Sequence, residues 1–471
     1  MSGRLSLDGA ALRESVRAMR AADALLVGVL DDDPTGSQAV HGVQVVTVAE
    51  ESAFEAAFSD PVGACFVLTN TRSLGQTAAI ELTQRAAQGL FAAANKSGRR
   101  IQIVSRSDST LRGHVIAEVM ALHAVRREMV GRGYDAVLFV PAFLEAGRVT
   151  AADIHWAASG ANLVPVGRTE FATDPVFGYR SSNLRDFIVE KARDAGLRSP
   201  AGRSEISSIG LPDIRLGGPA RIRELIADAH DGSWVIVNAT EYADLEAVAC
   251  AVLQTEREGK SFLFRTGPSF VRALTGVEPR PPLTAEDLWP SGPPAGHGLV
   301  VVGSHVGQTN RQLAALRGRG TTTEIEVDVP GVLSGAGDVI ADLAERVTDA
   351  LQSSDVLVYT SRDVVPGGEG RDSLAIGRTV SAALSRIVRQ ALAARPRWVV
   401  AKGGITSHDL ALHGLGIRRA QVAGQLFPGM ISVFSPIDAA PAAIGMPYVV
   451  FAGNVGDDTT LAQVVAILNG A

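Results

Sequence analysis

Hydrophobic positions along this chain fall into two kinds of run. Short continuous apolar stretches of strand length lie at 24–30, 43–48, 64–69, 101–105, 136–140, 205–210, 234–238 and 261–265. Between them, apolar positions recur at helical spacing over 50–59, 77–95, 114–130, 182–195, 217–230 and 241–258. A leading helix is expected over 5–22, where Leu5, Leu12, Val16 and Met19 share that spacing. Strands alternating with helices predict a mainly parallel sheet covered on both faces. Residues 142–180 break the rhythm and read as an irregular functional insertion.

The stretch 280–298, from Arg-Pro-Pro-Leu to Ala-Gly-His-Gly, is too rich in proline and glycine to hold a helix or strand. It divides the chain into an N-terminal domain, 1–280, a linker, 281–298, and a C-terminal domain, 299–471. The second domain repeats the alternation. Its strands are expected at 299–303, 323–328, 355–360, 397–401, 430–434 and 448–451, and its helices at 306–317, 337–352, 372–394 and 458–469. The expected fold class is α/β: two three-layer domains with mainly parallel sheets and a cleft between them that can close on a substrate.

Composition narrows the function classes. The chain has 471 residues, 46% hydrophobic and 20% charged, the balance of an ordinary globular protein. Its net charge is −6 and it has no basic run, which argues against nucleic acid as a partner. No apolar run approaches the roughly 20 residues that span a bilayer. Cys65 and Cys250 lack metal-ligand spacing and sit in apolar segments, as buried thiols of a reducing compartment would. A cytoplasmic protein is expected.

The chemistry concentrates after strands. The run 24–30 ends in Asp31-Asp32-Asp33-Pro34-Thr35-Gly36-Ser37, three carboxylates closed by a turn. The carboxyl end of a strand in an open parallel sheet is where ligands bind. Adjacent like charges there call for a cation or a hydroxyl-rich ligand. The run 101–105 ends in Arg106-Ser107-Asp108-Ser109-Thr110-Leu111-Arg112-Gly113-His114. Its arginines offer planar forks that match a carboxylate or phosphate. A third loop, 141–150, carries Glu145 and Arg148, and the segments 169–175 and 179–182 add further polar groups. The bland readings are a solvated acidic turn, a capped helix start and a surface ion pair. Three charged loops after three strands of one sheet favour a shared crevice instead.

The C-terminal half carries glycine turns at its strand ends: Gly303-Ser304-His305, Lys402-Gly403-Gly404-Ile405-Thr406-Ser407 and Gly453-Asn454. Glycines let backbone N–H groups approach a phosphate, and hydroxyls and Lys402 add to the cradle. Together the three favour a nucleotide. None is a Walker loop or a clean G-x-G-x-x-G fingerprint.

These residues resemble the four-carbon acid sugar kinases, a family first catalogued as a domain of unknown function. The likeness runs from about Ala24 to Leu461. The family's D-D-x-T-G motif falls on Asp32, Asp33, Thr35 and Gly36, and its K-x-D-S-T-L-R-G motif on Arg106 through Gly113. Its P-A-F-P-E-A-G-R-T loop falls on Pro141 through Thr150. The glycine-serine turn matches Gly303 and Ser304, the G-G-x-T-S loop Gly403 through Ser407, and the late turn Gly453-Asn454. The segment Gly424 to Pro428-Gly429 also fits. Arg106 stands where the family commonly has lysine, Leu144 replaces its proline and Val149 a threonine.

The resemblance implies phosphorylation by ATP, with Mg2+ on the phosphates, of the 4-hydroxyl of a small sugar acid. D-threonate is preferred, from the stretch 169–182. D-erythronate and 3-oxo-tetronates are the alternatives. Arg106 and Arg112 would take the carboxylate. Ser109, Thr110, Glu145 and Arg148 would line the site. Asp32, Asp33 or Asp108 would hold hydroxyls and orient or deprotonate the attacking one. Gly303, Ser304, Lys402, Gly403, Gly404, Thr406, Ser407, Gly453 and Asn454 would cradle the nucleotide; no metal ligands are assigned. A homodimer is compatible with such an enzyme. An NAD-dependent hydroxy-acid oxidoreductase and a non-catalytic sugar-acid sensor are the rivals. The missing dinucleotide fingerprint counts against the first, and the intact polar sets in both halves against the second.

Overall fold

The computed structural model describes residues 7–471 except 61, 161, 199, 201, 335–338 and 362–369, with backbone only for 370–375. The chain divides into two compact units, Met1–Pro279 and Arg280–Ala471. Both are α/β, with mostly parallel sheets flanked by helices.

In the first unit the strands are β1 (Leu26–Asp31), β2 (Gln44–Val46), β3 (Ala64–Leu68), β4 (Ile101–Arg106), β5 (Ala136–Val140), β6 (Arg148–Ala151), β7 (Ile154–Ser159), β8 (Asn162–Pro165), β9 (Ser207–Ile209), β10 (Ser233–Val237) and β11 (Phe262–Thr266). The main sheet runs β2–β3–β1–β4–β11–β5–β10–β9, all parallel. Its strands are continuous apolar runs because helices cover both faces. β1 and β3 are buried at every position.

The chain leaves β1 toward β2 and β3 on one side, then crosses to β4 on the other. The order therefore reverses between β1 and β4, the switch point at which open α/β sheets bind ligands. Register lines up the strand ends: Asp31 pairs with Arg106, Arg106 with Thr266, and Thr266 with Val140. The loops after β1, β4 and β5 thus leave one row.

Residues 142–180 are more regular than their composition suggests. β6, β7 and β8 form a separate three-stranded antiparallel sheet. Its strands are short and half-exposed, with too few apolar positions to register as alternation. A short helix, Pro268–Thr275, also follows β11 directly. Residues 5 and 6 of the expected leading helix lie outside the described residues, and the helix itself runs Gly9–Ala22.

The second unit has β12 (Leu299–Val302), β13 (Thr322–Val327), β14 (Asp355–Thr360), β15 (Val399–Lys402), β16 (Arg419–Phe427), β17 (Ile431–Asp438) and β18 (Tyr448–Phe451), in the order β13–β14–β12–β15–β18–β17–β16. β16 and β17 are antiparallel additions to a parallel sheet. Here the order reverses between β12 and β15, and the glycine turns after those two strands flank that point. The stretch 280–298 packs on this unit. Leu283 is buried in its core and donates its N–H to the Gln425 carbonyl at 2.7 Å, and Trp289 bonds the Leu468 carbonyl at 3.0 Å. A single helical turn, Ala285–Leu288, forms there, capped by Thr284 and Asp287. Residues 337 and 338 of an expected helix are outside the described residues; it runs Val339–Ala350.

Candidate functional site

Ion pairs fix the N-terminal loops to one another. Asp31 is fully buried and pairs with Arg106, which also donates to the Asp33 carbonyl at 2.7 Å. Gly36 lies against that pair. A Cβ there would sit 2.1 Å from both Arg106 Nη2 and Asp31 Oδ2, so the turn closes only over glycine. Asp33 pairs with Arg72 and accepts from the Thr35 N–H at 2.9 Å. Arg72 reaches on to Asp108 at 3.3 Å. Asp108 accepts from Arg112 Nε at 2.7 Å and from the Thr110 N–H at 3.1 Å. Burial would raise the Asp108 carboxyl, but Arg72, Arg112 and Arg148 prevail and hold it well below the usual carboxylate range.

Asp32 stands apart from this pairing. It is 3% exposed, and neither of its oxygens has a hydrogen-bond partner. Its closest cation is Arg106 Nη2 at 3.7 Å. Burial pushes its carboxyl up to about 7; Arg72 and Arg265 pull it down, Glu118 and Asp108 push it up. Around it other buried groups also lack partners: Asp31 Oδ2, Arg106 Nε, Arg265 Nε and Nη2, and Thr266 Oγ1. Buried donors and acceptors are costly unless filled, and clustered ones mark where a polar ligand completes the network.

Three members of this cluster escape a reading of the sequence. Arg265 ends the apolar run of β11 and is fully buried, with Nη1 bonded to Glu118 and to Ser105 Oγ at 2.6 Å. Glu118 lies on the buried side of helix Val115–Val130 and accepts from Thr71 Oγ1 at 2.5 Å. Arg72 follows β3. The available signal was a lone charge inside an otherwise apolar stretch, which for Arg265 and Glu118 marks burial with a partner. Gly113, at φ +124°, sits between the two unsatisfied groups. A Cβ there would be 3.1 Å from Asp32 Oδ2 and 3.3 Å from Arg265 Nη2. Leu111 is buried at φ +69°, a strained conformation typical of binding loops.

The 107–113 loop is clamped from the small sheet. Arg148 donates to Ser109 Oγ at 2.9 Å, His155 Nε2 meets the Ser109 carbonyl at 2.8 Å, and the Tyr179 hydroxyl donates to the Thr110 carbonyl at 2.6 Å. Burial lowers His155 to about 4, so its ring is neutral and donates from Nε2 to that carbonyl. Arg112 and Arg148 both stand over the Phe171 ring, at 5.1 and 5.5 Å, and Arg112 bonds Asp174 at 3.5 Å. The segment 169–175 therefore joins the cluster. Glu145 does not: its carboxylate is held by Tyr242, by Ser269 Oγ at 2.8 Å and by Arg272 at 3.5 Å.

In the second unit the glycine turns converge on two hydroxyls. A Cβ on Gly303 would lie 2.3 Å from Thr406 Oγ1, and one on Gly453 2.6 Å from Ser304 Oγ. Gly403, at φ +123°, would place a Cβ 3.2 Å from both Ser304 Cβ and Thr406 Oγ1. Thr309 ties the first and last turns, donating to the Gly453 carbonyl at 2.8 Å, and Gln312 Nε2 bonds the Val455 and Asp457 carbonyls at 2.9 and 2.7 Å. Asn454 is exposed, and Gly404 begins the short helix Gly404–Asp409. Ser407 faces inward, its hydroxyl bonded to the Ala401 and Gly403 carbonyls at 2.9 and 2.7 Å. Lys402 is fully buried, its ammonium 2.8 Å from the Ala452 carbonyl and 3.5 Å from the Phe451 ring centre. Burial lowers it to about 7. Among the described residues no cluster of His, Cys, Asp and Glu is arranged to hold a metal ion, and no helix is long and apolar enough to cross a membrane.

Comparison with known proteins matches both units. Residues 27–274 match the sugar-binding N-terminal domain and residues 299–461 the nucleotide-binding C-terminal domain that together define one family. A D-threonate kinase of Cupriavidus necator is 28% identical over 77% of this chain and 78% of its own length. A D-threonate kinase of Bordetella bronchiseptica is 26% identical over 92% of this chain and 95% of its own. Two crystal structures share the fold at 17% identity. A Haemophilus influenzae protein has TM-score 0.61 over 93% of this chain and 99% of its own, and a Salmonella typhimurium protein 0.65 over 93% and 98%. With both of its units matched, the chain belongs to the four-carbon acid sugar kinase family.

Proposed function

We propose that this chain transfers the terminal phosphoryl group of ATP to the 4-hydroxyl of a four-carbon sugar acid, and that the acid is D-threonate. The observation that carries the reading is Asp32. It is a buried carboxyl with both oxygens unfilled, raised to about 7 and surrounded by arginine N–H groups that are also unfilled. A group that titrates near neutrality is suited to accept a hydroxyl proton. Asp32 is accordingly the base that orients and deprotonates the attacking hydroxyl. Asp33 and Asp108, already spent on Arg72 and Arg112, position those arginines.

Arg112 and Arg148, side by side over Phe171, would hold the carboxylate. Arg106 is committed to Asp31 and the Asp33 carbonyl and acts as a brace. Arg265 and Thr266 would meet the remaining hydroxyls. Phosphoryl transfer needs placement and neutralised charge more than covalent chemistry. On the second unit, the missing side chains of Gly303, Gly403 and Gly453 make room for the Ser304 and Thr406 hydroxyls, which with the backbone N–H groups of the turns would face phosphate oxygens. Lys402, short of solvation, gains its proton most readily when an anion is near. Mg2+ would bridge the phosphates, held chiefly by them and by water. D-threonate is preferred because both curated relatives carry that name.

The test is ADP release with ATP and Mg2+ over D-threonate, D-erythronate and 3-oxo-tetronates. The reading expects D-threonate to give the highest kcat/KM. Turnover of another acid of the set would move the substrate assignment, and release with none of them would remove the kinase reading from this site.

A further inference from the structure

At the opposite end of the first unit's sheet lies a cavity with a charge pattern the kinase reading does not use. It is about 640 Å3 and opens where β4, β5 and β11 begin. Five steps of strand separate Ile101 from Arg106, about 16 Å at strand rise, so it is remote from the Asp32 cluster. Arg99, Arg100, Arg126, Arg132, Arg257 and Lys260 line it.

Asp23 and Glu256 are the carboxyls closest to this charge among the described residues. Asp23 pairs with Arg100 and Arg257 at 3.1 and 2.9 Å. Glu256 accepts from Gln102 at 2.7 Å, and burial raises it to about 7, so it is only about half ionised at neutral pH. Arg132 is exposed and makes no hydrogen bond or ion pair among the described residues. Tyr134, in the cavity wall, is 3% exposed, and its hydroxyl has no hydrogen-bond partner; Arg126 lies over its ring at 4.7 Å. With only the Arg126 guanidinium, a pure donor, beside it, the buried hydroxyl still has its own proton to give to an acceptor.

We infer that this cavity binds a compact phosphorylated anion, with Arg126, Arg132 and Lys260 around the phosphate and the Tyr134 hydroxyl donating to it. The volume suits a ligand from pyrophosphate to a sugar phosphate. Excess positive charge in a walled cavity selects for more than one negative charge.

Amide hydrogen exchange on the full chain with and without pyrophosphate tests this. Protection is expected at 99–102, 126–134 and 256–261, and it should persist in the Gly303→Ala variant. Arg132→Glu, a change on an exposed side chain, should weaken pyrophosphate about tenfold at these segments. Tyr134→Phe keeps the ring and should weaken it severalfold. Protection confined to 303–306 and 403–407 would place the anion in the nucleotide cradle and overturn the inference. So would equal binding by wild type and Arg132→Glu. Ribose 5-phosphate binding more tightly than inorganic phosphate would assign the site to a phosphorylated metabolite, and the reverse order to free phosphate.

Discussion

The two strand-end sites use opposite materials. At the ends of β1, β4 and β11, carboxylates and guanidiniums are packed beyond what they can satisfy among themselves, and Asp32 is left raised and without a hydrogen-bond partner. At the ends of β12, β15 and β18, glycines make room around Ser304 and Thr406, with the buried Lys402 beside them. A small polyhydroxy acid brings few charges, so its site must supply directional partners. A nucleotide brings its own charge and metal, so its site must mainly supply space and backbone N–H groups. The contrast predicts that side-chain chemistry is decisive in the first site and side-chain volume in the second.

The largest effect should come from Asp32→Asn, which keeps shape and removes the base. It should lower kcat by about 10²–10⁴-fold with little change in ATP affinity, measured by coupled ADP release. The same variant should be more stable than wild type at pH 8. Between the unfolded carboxyl's titration near 4 and the folded one near 7, the unfolded state loses its proton first, so stability falls as pH rises through that window. Asparagine escapes that loss, on the order of 4 kcal/mol in a urea or thermal melt. A variant less stable than wild type at that pH would mean that Asp32 is not strained by burial.

In the second site the matching change is one of volume. Gly303→Ala drives a methyl toward Thr406 Oγ1 and should raise the KM for ATP about tenfold while leaving that of the acid unchanged. Equal effects on both substrates would undo the division of roles. Arg112→Ala should raise the acid's KM by roughly tenfold, the share of one charge-assisted contact, with ATP unaffected.

The smallest effect concerns Lys402. Its folded value near 7 lies below the unfolded one, so the native ammonium releases its proton first and stability rises with pH above 7 until the unfolded lysine titrates. An arriving polyphosphate should return that proton. Calorimetry of ATP binding at pH 8 in buffers of different ionisation enthalpy should show uptake of up to about one proton, lost in Lys402→Met. No uptake would place Lys402 outside the phosphate's field.

Much of this was legible in the chain. Continuous apolar runs found the strands of both parallel sheets, and acidic, arginine-rich and glycine turns after them found the loops at both switch points. What escaped did so for physical reasons. β16 alternates buried and half-buried residues along its whole length, but Gly424 and the following Pro-Gly turn disguised it. β6 to β8 are too short and too wet to pattern. Arg265 and Glu118 come from separate elements and acquire meaning only as a buried pair, which no local spacing encodes. Glu145 reads like a site residue in its loop, yet Tyr242 and Ser269, far away in sequence, claim it.

The most direct test of the account is the pH dependence of kcat/KM for D-threonate, compared between wild type and Asp32→Asn. The account predicts a wild-type rate that falls on the acid side with an apparent pKa about 7, and a variant whose residual rate lacks that limb. A wild-type profile flat through neutrality, or the same limb surviving in Asp32→Asn, would contradict it.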